Sequence, residues 1–403
     1  MAKTPTALSL FVCLAAITFA AASPATGQDG AGKAAFPPSQ QKAVDYLMSQ
    51  QKDGVFSASY NGRQFPDPAI TGFGLMALQT KPKELRSEAE KTAIEHGVAW
   101  LLKNQNPDGS FGRQVLNYST SAAVGALARS GDPAAKEGLA KAQKFLLACQ
   151  VAEGSGSKST DPNYGGMGYG DKGPGGDARA DLSNTTFALQ ALRESGLPAD
   201  HEAFAKAITF LQRSQNLTKV NDFKGKTADP EHKDKMLDVG AGNNGGGVYY
   251  PGNSAAGYAV TPDGKAEPRS YGSMTYSLLK AYTLCGVKPD DERVQAAVKW
   301  VSAHWQLDEN PGFDPKASEE DRHQGLFYYY MVMAQALDLV GSKELAGAGD
   351  KKEAVDWRKA LRSHLEKTQH PDGSWKNDKN GRWMEDSGLL CACYALLALE
   401  KCR

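Results

Sequence analysis

Gln50-Gln51-Lys52-Asp53-Gly54-Val55-Phe56, Gln105-Asn106-Pro107-Asp108-Gly109-Ser110-Phe111 and Gln369-His370-Pro371-Asp372-Gly373-Ser374-Trp375 are one phrase written three times. Glutamine, Asp-Gly and an aromatic keep the same spacing at each site, and self-similarity of this kind marks a repeat architecture. Four residues before each glutamine stands an apolar or aromatic anchor, Tyr46, Leu101 or Leu365. The same step joins Leu146 to Gln150 and Leu211 to Gln215, and a degenerate copy runs from Trp305-Gln306 to Pro311-Gly312-Phe313. Six copies follow from this count.

Around each phrase lie two helical patterns of different character. Those before it, such as 91–103 and 293–304, carry charges on one stripe and suit a layer that touches water. Those after it span 67–79, 117–130, 181–195, 270–285, 324–340 and 386–399, are rich in Ala, Leu and small residues, and suit an inner layer packed on both sides. Asp67, Asp181 and Asp386 stand where a helix start wants a side-chain acceptor for its free amides. The Asp-Gly step lets the chain reverse between the layers. Six helical hairpins in two layers predict an all-α fold, an (α/α)6 toroid of twelve helices whose inner ring surrounds a central cavity. An open superhelix shares this grammar; six is the number at which such pairs close.

The pattern of anchor, glutamine, glycine and aromatic resembles the QW repeat of the terpenoid cyclase and protein prenyltransferase superfamily (squalene cyclase-like), with Phe in place of Trp at Phe56 and Phe111. The resemblance covers nearly the whole chain after its first residues and implies the toroid fold; it implies no particular chemistry, because the repeat is scaffold. Squalene-hopene cyclases of that superfamily protonate their substrate through an Asp-x-Asp-Asp motif, and this chain has none. Prenyltransferase β subunits hold zinc with an Asp-x-Cys pair and a histidine at the starts of the last two inner helices. The matching stretches here are Gln324-Gly325-Leu326 and Leu389, without liganding side chains, so no metal is expected. The Cys-x-Glu-Gln motif of complement-type thioester domains is absent as well. No cofactor is expected.

In a closed ring the six inner helices run parallel, and their amide-rich, partly positive ends gather around one mouth. The loops entering that mouth bring Arg63, Arg113, Arg179, Arg269, Arg322 and Arg382, a potential cationic collar for a diphosphate or a uronate. Their alternative is pairing with nearby acids, Asp67 and Asp386 standing four residues after Arg63 and Arg382. Acids near the mouth are Asp67, Asp177, Asp181, Asp321, Glu385 and Asp386, with His323 the histidine at the rim. Asp181, Asp386 and His323 are the candidate catalytic groups, and capping is the competing role for Asp67, Asp181 and Asp386. Aromatics complete the candidate pocket: Tyr271, Tyr276, Tyr328 and Tyr329, joined by Asp67, Arg179, Arg269, Arg322 and Arg382. Helical residues turn about 100° each, so at most two of Phe327, Tyr328, Tyr329 and Tyr330 can face a cavity. Gly-rich insertions at 151–180 and 216–269, with Gly165-Gly166 and Gly245-Gly246-Gly247 ahead of Tyr169 and Tyr249 inside them, have the length of lids or site walls and equally of surface excursions.

Lys3 followed by the apolar run 7–22 and the small residues Ala20 to Ser23 reads as an export signal cleaved between 22 and 27, too short for a membrane span of about 20 apolar residues. Secretion or a periplasmic location is expected, with about 375 residues forming one toroid domain from 28 to 403. Lys plus Arg equals Asp plus Glu at 46 each, so no nucleic-acid partner is expected. Cys149, Cys285, Cys391, Cys393 and Cys402 are read as buried thiols. Three functions stay open: a cyclase-like toroid binding a small hydrophobic or anionic ligand in its cavity, extending to isoprenoid chemistry; a secreted polysaccharide lyase or hydrolase acting on a carbohydrate polymer; and a non-catalytic binding or scaffold module.

Overall fold

The repeat phrases shape the molecule directly. In the computed structural model, which describes residues 35–60, 62–170, 179–230, 232, 234–347 and 353–403, helices alternate between two concentric layers. The outer layer is α1 (Pro38–Gln50), α3 (Glu88–Lys103), α5 (Ala135–Ala148), α7 (Glu202–Arg213), α9 (Glu292–Ala303) and α12 (Trp357–Thr368). The inner layer is α2 (Pro68–Gln79), α4 (Leu116–Ser130), α6 (Leu182–Glu194), α8 (Gly272–Leu284), α11 (Leu326–Leu339) and α13 (Gly388–Glu400), with the one-turn α10 (Glu319–Arg322) ahead of α11. The export signal and Asp177 lie outside the described residues.

Burial follows the sequence patterns. Outer α3 buries Glu90, Ala93, Ile94, Gly97, Val98 and Leu101, the stripe of an amphipathic helix. Inner α2 is buried continuously from Ile70 to Gln79, and α13 from Leu389 to Leu399. The ring closes, because α2 packs against α4 on one side and α13 on the other. Inner helices are parallel: Ser183 near the start of α6 meets Tyr328 near the start of α11, while Arg129 and Glu400 meet at the ends of α4 and α13. The ring thus has an amino mouth and a carboxyl mouth.

The glutamine of the repeat is a staple. Gln105 Nε2 donates to Gly109 O of its own turn and to Gly138 O of the next outer helix, both at 2.9 Å. Gln150 repeats this with Gly165 and Ala203, and Gln215 with Gly245 and Arg293. Gln369 closes the circle by bonding Gly373 O and Ser39 O, 330 residues away. An amide nitrogen has two hydrogens, and both are used. Gln50 and Gln306 depart from the pattern, bonding Ser49 and Glu309 instead. The glycine explains itself at Gly373, whose φ is +92° and where a Cβ would stand 2.2 Å from Lys42 O. A second link went unread in the sequence: Thr71, Thr120, Thr185 and Thr275 on inner helices accept from the backbone N–H of Phe56, Phe111, Met167 and Gly247 at 2.9–3.1 Å.

Strands occur outside the rings. β1 (Ser57–Tyr60) and β2 (Arg63–Pro66) form a hairpin before α2, pairing Ser57 with Pro66. The insertion before α8 holds β3 (Gly225–Ala228), β4 (Met236–Val239), β5 (Tyr258–Val260) and β6 (Ala266–Pro268) in the order β3-β4-β6-β5, with its own small core of Leu237, Val239 and Ala266.

Candidate functional site

Side chains from five inner helices fill the axis. Phe73 of α2, Tyr118 of α4, Phe187 of α6, Tyr328 of α11 and Tyr394 of α13 meet with ring centroids 5.3–6.3 Å apart, mostly edge to face. Such pairs contribute roughly 0.5–1.5 kcal/mol each beyond their burial. α8 brings no ring to this cluster; its Ser277 hydroxyl meets the Tyr328 hydroxyl at 2.9 Å, and Ser183 donates to the same oxygen at 3.2 Å. Below the rings a cavity of about 10 Å³ remains, space for about one water.

On the amino side of the rings sits Asp181, 1% exposed. It caps α6: Oδ1 accepts from Asn184 N and Oδ2 from Asn184 Nδ2, both at 2.8 Å. The Tyr249 and Tyr169 hydroxyls, hydrogen-bonded to each other at 3.2 Å, lie beside it and favour its charged form. Burial pushes the Asp181 carboxyl up from its ordinary range, and the two Asn184 hydrogen bonds and the neighbouring tyrosines only partly oppose it. Asn184 Oδ1, fully buried beside it, has no hydrogen-bond partner. The two Gly-rich insertions supply the tyrosines and are strapped down there, Asn117 N bonding Tyr169 O and Leu182 N bonding Tyr249 O. Near Tyr169 and Tyr249 they are walls of this mouth.

A second buried acid is Glu385, with no exposed surface. Its Oε1 accepts from Tyr328 N at 2.8 Å and its Oε2 from Asn377 Nδ2 at 2.9 Å, so a loop from the following repeat caps α11. Trp383 and Met384, at φ +63° and +65°, make the left-handed bend before it. Desolvation raises the Glu385 pKa to about 7 against the pull of the helix amides.

The remaining candidates are placed as follows. Asp67 caps α2 through Ile70 N at 2.9 Å. Asp386 caps nothing: it is exposed, and α13 starts after Ser387 without a side-chain cap. His323 bonds the backbone oxygen of Glu319 through Nδ1 at 2.6 Å. Of the six arginines, Arg269 pairs with Asp314 at 2.8 Å and Arg322 with Glu309 at 2.7 Å, while Arg63 and Arg382 pair with neither Asp67 nor Asp386. Arg63, Arg113, Arg179 and Arg382 form no ion pair among the described residues; Arg179 lies over the Tyr250 ring and Arg382 donates to Gln324. Asp321 accepts from Ser318 and Gln324.

Of the expected tyrosines only Tyr328 reaches the axial cluster. Tyr276 and Tyr329 pack on each other between the layers at 5.7 Å, Tyr329 donating to Gln306 O, while Tyr271 packs on Phe313. Phe73, Tyr118, Phe187 and Tyr394 were not singled out by sequence. A usable signal existed, since Phe73 and Phe187 each stand six residues after a capping aspartate. Among the described residues no group of three His, Cys, Asp or Glu side chains is arranged to hold a metal.

The fold is similar to that of a variant of the type II terpene cyclase MstE from Scytonema in complex with geranylgeranyl dihydroxybenzoate, at 14% identity and a TM-score of 0.53, covering 90% of this chain and 96% of that one. Another variant, in complex with merosterolic acid A, matches at 14% identity and a TM-score of 0.52, covering 90% and 95%. No curated protein matches the sequence. The family model for the prenyltransferase alpha-alpha toroid domain matches residues 30–231 and 263–403, skipping the part of the insertion that holds β4 and β5. The chain belongs to that family, the prenyltransferase alpha-alpha toroid domain proteins.

Proposed function

We propose that this protein is an exported toroid that takes a prenyl-type apolar ligand into its aromatic axis from the amino mouth, with Asp181 as the acid that can hand it a proton. The observation that carries the reading is one buried carboxyl, raised in pKa, held by Asn184 beside two tyrosines and standing over five aromatic rings. Ring faces stabilise a developing carbocation, and a carboxyl whose protonated form is favoured by burial can act as a general acid. The structural neighbour bound to geranylgeranyl dihydroxybenzoate supports the ligand class. Because the standing cavity is about 10 Å³, the ligand displaces Phe187 and its neighbours on entry. Export rests on Lys3 and the apolar run 7–22; no helix among the described residues is long and apolar enough to cross a membrane.

The test offers prenyl diphosphates and oligouronates side by side to the mature protein, followed by calorimetry. Saturable prenyl binding that Phe187→Ala alters is expected, and turnover, where present, should fall by at least about a hundredfold in Asp181→Asn, the scale of a lost general acid. Turnover unchanged in that variant removes Asp181 as the acid. The packed axis favours one other reading, a non-catalytic toroid, and saturation by neither ligand establishes it.

A further inference from the structure

The carboxyl mouth holds a group that the reading above does not use. Lys280, on α8, is 2% exposed. Its Nζ donates to Gln190 Oε1 and, at 2.6 Å, to Gln335 Oε1, and lies 6.0 Å from the Phe187 ring centroid. No carboxylate comes within ion-pair distance among the described residues; the nearest linked acid is Glu194, one hydrogen bond further on through Gln190 Nε2 at 2.7 Å. An ammonium brings three N–H groups and a neutral amine two. Two acceptors are present, so this environment matches the amine and leaves its lone pair uncommitted. Burial acts in the same direction, lowering the Lys280 pKa to about 7. Gln190, Gln335 and Phe187, which surround Nζ, are also walls of the cavity under the aromatic rings.

We propose that Lys280 is a carbonyl-capturing site, forming an imine with an apolar aldehyde whose tail lies along the aromatic axis. The nitrogen lone pair forms the new bond to the carbonyl carbon, giving a carbinolamine; the carbonyl oxygen then leaves as water with the two amine hydrogens, and C=N remains. Nothing is oxidised or reduced. A desolvated lysine in apolar surroundings is activated for this chemistry. The inference deepens the prenyl reading and rests on it for the ligand's apolar tail.

The experiment treats the mature protein with geranial, a ten-carbon prenyl aldehyde, and cyanoborohydride at pH 7, then maps modified lysines by mass spectrometry. Lys280 should be labelled roughly tenfold or more faster than the surface lysines, because an amine with a pKa near 7 is about half neutral there whereas an ordinary lysine is almost wholly charged. The preference should vanish in denatured protein and the label should be missing from Lys280→Arg, which keeps a basic side chain of similar length but removes the nucleophilic amine. Folded protein labelled on surface lysines with Lys280 untouched overturns the proposal. Geraniol, the unreactive alcohol, separates the two ideas. Geraniol bound with Lys280 unlabelled sinks the imine alone; Lys280 labelled without geraniol binding supports the imine and sinks the prenyl reading.

Discussion

The two mouths of the inner ring are built from the same six helices and hold opposite chemistry. At the amino mouth the buried groups are acids, Asp181 and Glu385, each taking backbone amides at a helix start. At the carboxyl mouth they are bases, Lys280 against two glutamine oxygens and Arg129 paired with Glu400 at 2.9 Å. Parallel helix dipoles favour this arrangement, negative groups at the amino ends and positive groups at the carboxyl ends. Yet the acids are pushed up and the lysine down in pKa, both toward neutrality. Desolvation therefore outweighs the dipoles on this axis, and each mouth stores a group near its charging point.

The largest expected effect concerns what holds both mouths together. In Gly373→Ala the new Cβ would meet Lys42 O at 2.2 Å at a φ of +92°, whereas in Gly131→Ala, at the end of α4 with φ +65°, nothing lies within 4 Å. Gly373→Ala should cost about 4 kcal/mol, a loss reserved for clashes that force a backbone shift, and Gly131→Ala about 1–2 kcal/mol from left-handed strain alone. Urea unfolding of both variants decides this. Equal losses would mean that the Gln369 and Gly373 contact does not close the ring.

Next in size is a difference in pH dependence between the mouths. Glu385 has a folded pKa of about 7, above its ordinary 4.5, so its contribution to stability is full below pH 4.5 and lost as pH rises through 7. Lys280 has a folded pKa of about 7, below its ordinary 10.5, so its contribution is full above pH 10.5 and lost as pH falls through 7. Asp181 shares the sign of Glu385. Together they place a stability trough near neutral pH. Glu385→Gln should flatten the acid limb, and Lys280→Met the alkaline limb, by about 2–3 kcal/mol each. Unfolding curves from pH 4 to 10 that change on the wrong limb would contradict the assignment.

Arg129→Ala comes third. It leaves Glu400, whose side chain is 20% exposed, facing Lys401 alone at 3.5 Å, for an expected loss of about 2 kcal/mol. A double-mutant cycle with Glu400→Gln measures the coupling. Coupling below about 0.5 kcal/mol would reduce the pair to a surface contact.

How much of this could be read in the chain divides along the same lines. The phrase around Gln105, Gln150, Gln215 and Gln369 was legible because a staple needs one residue type at one spacing, and the inner helices were legible from their lack of charge. Lys280 in Ser277-Leu-Leu-Lys280 broke that rule and could have been noticed for it. The filling of the axis was not legible. Tyr328 points inward and Tyr329 outward because of the rotation of α11, which depends on packing against α8 and α13. The pairing of two rim arginines was hidden for a related reason: Asp314 and Glu309 both come from the loop between α9 and α11, distant in sequence from Arg269 and near Arg322 only through a fold of that loop.

The smallest effect tests the least visible distinction, that between neighbouring acids with the same apparent place in the repeat. Asp67 and Asp386 both stand at the approach to an inner helix, yet only Asp67 accepts an amide, from Ile70 at 2.9 Å. Beside Asp386 it is Glu385 that turns inward, because the left-handed pair Trp383 and Met384 rotates the chain. Asp67→Ala should therefore cost about 1 kcal/mol, the ordinary value of a lost cap, and Asp386→Ala less than about 0.5 kcal/mol, as for an exposed surface change. Thermal melts of the two variants make the comparison directly. A loss at Asp386 equal to that at Asp67 would mean that α13 has a cap in solution, and that the bend at Trp383 and Met384 does not hold Glu385 under α11.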